Sequence, residues 1–131
     1  FLTPDGDALW FASHRHPYDN VTTLFQALAT EGYASGHSVS GVTSADGDKF
    51  NPVLSWDKNT LYFAKSRDVD GGSREIWVAR RNTDGGGFDQ PVEVKQLNTS
   101  LSQMPSWLSP DQCHLYFTRD NAIYRAERPL R

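Results

Sequence analysis

The stretch LTPDGDALWF at residues 2–11 returns as LSWDKNTLYF at 54–63 and as LSPDQCHLYF at 108–117. Each copy contains a Leu, a hydroxyl residue, an Asp two positions later and a Leu–aromatic–Phe run. The copies begin 52 and 54 residues apart. A pattern of several fixed features that recurs in three copies is an internal repeat, and a period of this length is typical of stacked repeat architectures.

A second phrase follows each copy of the first. It is LFQA at 24–27, IWVA at 76–79 and IYRA at 123–126, so the first two lie 52 residues apart and the last two only 47 apart. The shortening falls between the two phrases, where SRDVDGGSRE (66–75) is replaced by TRDNA (118–122). A connection that changes length while its flanks keep their pattern is typical of a surface hairpin loop.

Both phrases, and the segments around them, have the composition of β-strands. They are short, rich in aromatic and β-branched residues, and bounded by Asp, Gly and Asn. Besides LFQA, the predicted strands are 9–13, 37–42, 49–55, 61–65, 75–81, 92–97, 103–109, 115–119 and 122–128. The order predicts four short antiparallel strands in a complete repeat, with repeats at approximately 1–48, 49–101 and 102–131. The first repeat lacks most of its first strand and the last ends after its third, so we expect about two and a half to three four-stranded units.

The Leu–aromatic–Phe run places apolar residues on both sides of its strand, which suits a sheet that is covered on both faces. Four-stranded sheets stacked around an axis form a β-propeller. We therefore predict an all-β fold, a β-propeller of four-stranded antiparallel blades. Because a ring closes with about 4–8 blades, we expect these residues to be completed by the remainder of a longer propeller chain or by association of copies.

The repeat resembles a known family. The phrase Ser/Thr-Pro-Asp, then Leu-aromatic-Phe, then Ile-Trp/Tyr-x-Ala is similar to the WD40-like PD40 repeat of TolB-type β-propellers. Pro4–Asp5 and Pro110–Asp111 match its Pro–Asp pair, whereas Trp56–Asp57 keeps only the Asp. Residues 82–111 are similar to the inter-blade segment of bacterial envelope members. The resemblance implies a partial propeller, a scaffold role and a periplasmic or extracellular location.

Composition excludes several other classes of protein. The chain has 131 residues, 37% of them hydrophobic, which is enough to bury the core of one domain. Its net charge of −3, with basic and acidic residues mixed, argues against a nucleic-acid surface. No apolar run approaches the roughly 18 residues of a membrane span. Cys113 is the only cysteine, so no disulfide forms within one chain.

The motif aspartates Asp5, Asp57 and Asp111 are predicted to have a structural role. Each follows a hydroxyl residue by two positions, at the turn between the first and second strands of its repeat. A short carboxylate in such a turn accepts hydrogen bonds from nearby backbone amides. We therefore interpret these three side chains as turn residues and not as catalytic acids.

Metal sites are a minority hypothesis. His14 and His16 would lie on one face of a persistent strand and form a possible metal pair, but HRHPYDN is polar and turn-like. The acidic stretches 46–48 and 68–71 resemble fragments of calcium loops, without the six or seven oxygen ligands that a calcium site needs. We predict solvated loops, no bound metal and no cofactor.

Enzyme chemistry receives little support from the sequence. There is no Gly-x-Ser-x-Gly elbow, and Cys113 precedes His114 directly, so the two side chains would point to opposite faces of a strand. We predict no catalytic residue. The alternative is that the chain is the propeller part of a larger enzyme, either a serine peptidase gating domain or a metal-dependent hydrolase or lyase using His14 and His16.

The favoured function is a non-catalytic scaffold that binds a protein or other macromolecular partner. Loops at one end of a propeller are the natural contact surface. We predict that Arg67, Asp68, Asp70, Arg74 and Trp107 make these contacts, with Trp107 as a possible aromatic anchor. Apart from such an anchor role, the lone methionine and several aromatic residues are expected to pack in the core or between blades: Met104, Trp56, Trp77, Trp107 and Phe88.

Overall fold

The computed structural model describes residues 1–15, 20–44, 46–67 and 72–128, and within these ranges the chain is built from ten β-strands. They are β1 (Ala8–Ser13), β2 (Thr23–Leu28), β3 (His37–Ser38), β4 (Lys49–Leu54), β5 (Thr60–Ser66), β6 (Arg74–Arg80), β7 (Val92–Glu93), β8 (Gln103–Leu108), β9 (His114–Arg119) and β10 (Ala122–Glu127). One turn of 3-10 helix, Ala29–Glu31, is the only helical segment of the described residues. The prediction of an all-β protein is confirmed.

The strands form three antiparallel sheets. The first sheet has the order β1-β2-β3, the middle sheet β4-β5-β6-β7 and the third sheet β8-β9-β10. The two repeated phrases are hydrogen-bonded neighbours, as in the pairing of Phe63 with Trp77 and of Phe117 with Tyr124. The middle sheet therefore has the four antiparallel strands that the repeat predicts, and the described parts of the other two have three.

The middle sheet is covered on both faces because alternate residues of a strand point to opposite sides. Leu61 and Phe63 of β5 belong to the core shared with the first sheet. Tyr62, between them, packs against the core shared with the third sheet, where Val53 and Ile76 are buried. The three described sheets thus form an open stack, with one hydrophobic core at each of its two interfaces.

The first strands of the second and third repeats, β4 and β8, lie at the edges of their sheets and share an irregularity. The register of β4 shifts between Phe50 and Val53, and that of β8 shifts between Pro105 and Trp107. A β-bulge at a proline-containing position on the edge of a sheet is a common device, because proline has no N–H for the ladder. The shift occurs at the same place in both repeats, so Val53 and Trp107 occupy equivalent positions opposite a tyrosine.

The last strands of the first two sheets, β3 and β7, are shorter than predicted. The sequence predicts a strand over 92–97, but only Val92–Glu93 pairs with β6. The Asn98 side chain then takes over the ladder: its Oδ1 accepts a hydrogen bond from the N–H of Ile76 at 2.7 Å, and its Nδ2 donates to the Ile76 carbonyl at 3.1 Å. In the first sheet the hydroxyl of Thr43 donates to the Leu24 carbonyl at 3.2 Å, and β3 is likewise limited to two residues.

The hairpin that changes length between repeats is well defined in the third sheet. Asp120 and Asn121 join β9 to β10 with φ angles of 48° and 60°. Positive φ at both positions is the geometry of a two-residue type I′ turn, which Asn and Asp tolerate well. The longer connection between β5 and β6 includes residues 68–71, which lie outside the described residues.

Candidate functional site

The motif aspartates lie in one recurrent turn. Each carboxylate accepts a hydrogen bond from the backbone N–H two residues ahead, at 3.1 Å for Asp5 and 3.0 Å for both Asp57 and Asp111. This is an Asx turn, in which the carboxylate replaces a backbone acceptor. The arrangement holds the turn between the first and second strands of each repeat in one shape.

The hydroxyl residue of the motif completes the turn. The hydroxyl oxygens of Thr3, Ser55 and Ser109 accept hydrogen bonds from the N–H five residues ahead, at 3.0, 2.9 and 2.9 Å. The Ser55 and Ser109 hydroxyls each donate to the motif carboxylate at 2.5 Å. The repeated Ser/Thr-x-Asp spacing therefore encodes a closed hydrogen-bond network.

These contacts favour the ionised carboxylates. The Ser55 hydroxyl is the main cause that lowers the pKa of Asp57 to about 2. The Ser109 hydroxyl likewise lowers the pKa of Asp111, and the Lys58 ammonium lowers that of Asp5. A general acid at neutral pH needs a raised pKa, so these carboxylates are unsuited to that role.

His14, the described member of the predicted metal pair, is engaged within the chain. His14 Nε2 lies 2.6 Å from the hydroxyl of Thr22, and His37 Nε2 lies 2.7 Å from a carboxylate oxygen of Glu31. His16 lies outside the described residues. Across residues 1–15, 20–44, 46–67 and 72–128, no group of three His, Cys, Asp or Glu side chains is arranged to hold a metal ion.

The acidic stretch 46–48 is used within the chain. The Asp48 carboxylate accepts a hydrogen bond from the N–H of Thr22 at 2.6 Å. The Asp46 carboxylate lies 2.8 Å from Nζ of Lys49 and 2.6 Å from Nζ of Lys65. Both carboxylates are therefore engaged by cations or amides of the chain itself.

Lys49 forms a buried polar cluster that the sequence analysis missed. Its side chain is 2% exposed, and besides Asp46 its ammonium donates to the carbonyls of Ser44 and Gly47, each at 3.0 Å. The three donors of the ammonium are thus all satisfied. Burial lowers the pKa of Lys49, and the Asp46 carboxylate opposes that shift. The cluster fixes the loop that leads into β4.

The predicted contact arginines are engaged within the chain. Arg67 donates to the Glu75 carboxylate at 2.7 Å and to the Thr99 carbonyl at 3.0 Å. The guanidinium of Arg74 lies over the ring of Phe50, 4.1 Å from its centroid, and donates to the sulfur of Met104. Asp68 and Asp70 lie outside the described residues. Arg74 thus joins the β5–β6 hairpin to the third repeat, whereas the partners of Arg67 belong to the second repeat itself.

Trp107 lies on the outer face of the third sheet, together with Tyr116 and Ile123. Two of these residues are far more exposed than their counterparts in the middle sheet. Trp107 is 44% exposed, whereas its counterpart Val53 is 2% exposed, and Ile123 is 75% exposed, whereas its counterpart Ile76 is 0% exposed. The rings of Trp107 and Tyr116 pack together at a centroid distance of 5.4 Å. Trp56, expected in the core, is 49% exposed in a turn, because it occupies the position that proline takes in the other two motif copies.

A cleft of about 380 Å³ separates the outer parts of the middle and third sheets. Tyr62, Leu97 and Leu115 contribute to its apolar wall, and Arg128 lies at its rim. Cys113 also lines the cleft. Partial desolvation raises the pKa of the Cys113 thiol, which disfavours the reactive thiolate. The cleft has the form of a binding pocket and lacks an activated nucleophile among its described lining residues.

Comparison with known proteins gives no match, either to a family model or to a curated protein sequence. The described residues contain no helix of the length and hydrophobicity needed to span a bilayer. Function is therefore inferred from the geometry of the chain itself.

Proposed function

We propose that the chain is a β-propeller-type repeat module that acts as a non-catalytic, protein-binding scaffold. The observation that carries this proposal is the outer face of the third sheet, where Ile123 is 75% exposed although its counterpart Ile76 is fully buried. Exposed apolar patches on an ordered sheet are typical of interaction surfaces. The surface consists of Trp107, Tyr116 and Ile123 and is called the outer face below.

The partner proposed for the outer face is another sheet of the same repeat type. The equivalent face of the middle sheet packs against β8, β9 and β10 through Val53 and Ile76. The same strand pattern in the third sheet would receive a further sheet in the same way, whether this sheet belongs to a longer chain or to a second protein. Such stacking extends a propeller.

The hairpin loops at the end of the stack are the proposed site for other macromolecular partners. Arg67 and Arg74, on the two described sides of the β5–β6 connection, make contacts within the chain that hold these two residues beside the loop of residues 98–102. Asp68 and Asp70 belong to the same hairpin in sequence. The resemblance to envelope propellers favours a periplasmic or extracellular location.

The proposal is tested with an extended chain in which residues 82–128 are repeated directly after Arg128, in place of 129–131. This design uses the equivalence of Arg81 and Arg128, which each follow the second phrase by two residues. In the natural chain Ile123→Asp changes an exposed side chain, and we expect an effect within about 0.5 kcal/mol. In the extended chain the same substitution buries a charge, and we expect a loss of about 3 kcal/mol or more.

Thermal and urea unfolding measure both effects. Val92→Asp is the matched control, because Val92 is 63% exposed on β7, away from the outer face. It should have a small effect in both chains. If Ile123→Asp costs no more in the extended chain than in the natural one, the outer face does not receive a sheet of this repeat, and the proposal fails.

A further inference from the structure

The cleft between the middle and third sheets has a filled counterpart in the same chain. At the interface of the first and middle sheets, the corresponding space contains the side chain of Phe88, which is 4% exposed. Its ring meets that of Trp10 edge to face, with centroids 6.1 Å apart. The guanidinium of Arg81 lies over the same ring at 4.7 Å. Phe88 is therefore clamped between an indole and a guanidinium.

The backbone confirms that the two interfaces are equivalent. The N–H of Val39 donates to the Leu24 carbonyl at 3.4 Å, and the N–H of Val94 donates to the Ile76 carbonyl at 2.9 Å. In each case a turn then brings a second apolar residue back to the interface. The N–H of Val42 donates to Val39 at 3.3 Å, and the N–H of the cleft residue Leu97 donates to Val94 at 3.0 Å.

The arginine and the aromatic residue that border each interface are also in equivalent positions. The N–H of Arg81 donates to the Asn59 carbonyl at 2.8 Å, and the N–H of Arg128 donates to the Cys113 carbonyl, also at 2.8 Å. Tyr62 takes the place of Trp10 in the repeat. The second interface thus has an aromatic side wall, an apolar floor and an arginine at the rim, as the first has.

One difference between the interfaces is the occupant. Val39 and Val42 are buried beneath Phe88, whereas their counterparts Val94 and Leu97 are only half-buried and line the open cleft. The second repeat carries its phenylalanine seven residues after Arg81. The cleft therefore has the wall for an aromatic ring without a described residue of the chain that fills it.

We infer that this cleft is a binding site for a phenylalanine side chain presented by a protein segment, held between Tyr62 and Arg128 as Phe88 is held between Trp10 and Arg81. The arginine favours an aromatic ring over an aliphatic side chain, because its guanidinium is attracted to the ring face. This inference rests on the proposed protein-binding role, because a partner protein supplies the phenylalanine ring. The site itself lies on the opposite face of the third sheet from the outer face.

A segment bound in the cleft must take a different backbone path from that of Phe88 at the first interface. Gly41 has a φ of 88°, and a Cβ atom there would lie 1.8 Å from the carbonyl oxygen of Phe88. Its counterpart in the second interface is Gln96. The backbone of a segment that binds in the cleft must therefore lie further out than that of Phe88. The ring-binding wall is the part that the two sites share.

The first experiment uses the natural chain and its single thiol, which lines the cleft. Cys113 is equilibrated with equimolar bis(2-phenylethyl) disulfide and bis(2-hydroxyethyl) disulfide in the presence of their thiols, and the two mixed disulfides are quantified by intact-mass spectrometry. Burial of the phenyl ring predicts a preference of about tenfold or more for the phenylethyl adduct. In the control chain, Cys113→Ser combined with Ser100→Cys, the thiol is on an exposed loop and the preference disappears.

The second experiment supplies the ring from a polypeptide. Residues 82–91 are appended after Arg128 in place of 129–131, either with their phenylalanine or with Ala in its position. We expect the midpoint of thermal unfolding to be about 5 °C higher with phenylalanine. Equal adduct preferences at positions 113 and 100, or equal midpoints for the two appended chains, would overturn the inference. Neither readout involves the outer face, so failure here is distinct from failure of the proposed function.

Discussion

The ammonium of Lys58 lies 2.5 Å from a carboxylate oxygen of Asp5, and this ion pair joins the motif turns of two neighbouring repeats. Lys58 is the residue directly after the motif aspartate of the second repeat and has a φ of 60°. In the third repeat the equivalent residue, Gln112, also has a φ of 60° and hydrogen-bonds the Asp57 carboxylate of the repeat before it. The left-handed conformation at this position directs a donor side chain backwards onto the previous turn.

The first prediction concerns this link. Lys58→Met removes the main cause of the lowered pKa of Asp5, so that pKa should rise towards its usual value near 3.9. Lys58→Gln should give a smaller rise, because Gln112 makes the same link with an amide. An NMR titration of the carboxyl carbons measures both shifts. The pKa of Asp111 is the internal control, and a rise there equal to that of Asp5 would mean that Lys58 acts on the whole fold.

The second prediction concerns the hydroxyl of the motif. Ser55 is 1% exposed, accepts a hydrogen bond from the Thr60 N–H at 2.9 Å and donates to Asp57 at 2.5 Å. Ser55→Ala leaves a buried donor unpaired, and we expect a loss of about 2 kcal/mol in the free energy of unfolding. Ser106→Ala removes an exposed hydroxyl and should cost less than about 0.5 kcal/mol. Urea unfolding that gives equal losses for both would argue against the closed turn network.

The third prediction is a pH dependence. The pKa of Asp57 is lowered to about 2 in the folded chain, against about 3.9 when unfolded. Because the folded state binds its proton less readily, this carboxylate stabilises the fold above about pH 4, and the contribution is lost as pH falls towards 2. Asp57→Asn should therefore flatten the loss of stability over this window. Thermal midpoints at pH 5, 3.5 and 2.5 test this, and an unchanged slope would contradict it.

The fourth prediction concerns the packing of the first interface. Phe88 is buried against Trp10 and Arg81, so Phe88→Ala should cost about 3–5 kcal/mol through lost burial and a residual cavity. The emission of Trp10 should also shift to longer wavelength as water approaches the indole. Leu101→Ala, at a position 45% exposed, is the comparison and should change stability little. Equal costs would mean that Phe88 does not hold the interface.

The sequence predicted the strands well because strand period and turn chemistry are local properties. The paired phrases appear as β5–β6 and β9–β10. Local reasoning failed where a side chain from a distant residue replaced the backbone, as Asn98 does at Ile76, and it therefore predicted outer strands that are too long. The burial of Lys49 depends on three acceptors that a loop brings together, and no periodic pattern indicates it.

The cleft was missed for a different reason. Its signal was present in the sequence as the phenylalanine that follows Arg81 by seven residues in a glycine-rich turn. The sequence predicts this phenylalanine as a core or inter-blade residue, and it is buried, but a single copy does not indicate which interface it fills or that the equivalent place at the next interface is an open cleft. The equivalent positions of the repeats together therefore carry information that no single copy contains.

The last prediction concerns the buried ammonium of Lys49. Its side chain is 2% exposed, whereas that of its partner Asp46 is 59% exposed. Asp46→Ala leaves the ammonium buried without the carboxylate that pairs with it directly. A fully buried pair broken in this way costs about 3–5 kcal/mol, and the partial exposure of Asp46 reduces our expectation to about 2 kcal/mol.

The double variant Asp46→Ala with Lys49→Met should be more stable than Asp46→Ala alone, because it removes the uncompensated charge together with its partner.

The pH dependence of stability provides an independent check. Burial lowers the pKa of Lys49 in the folded chain, and the loss of Asp46 lowers that pKa further. As pH rises, Lys49 therefore loses its proton in the folded state while it keeps it in the unfolded state. The single variant Asp46→Ala should for this reason gain stability with rising pH. The double variant lacks this group and should show no such gain. Unfolding free energies of the natural chain, Asp46→Ala, Lys49→Met and the double variant between pH 7 and 10 measure the coupling. If Asp46→Ala is as stable as the double variant at pH 7, the buried ammonium does not need the Asp46 carboxylate.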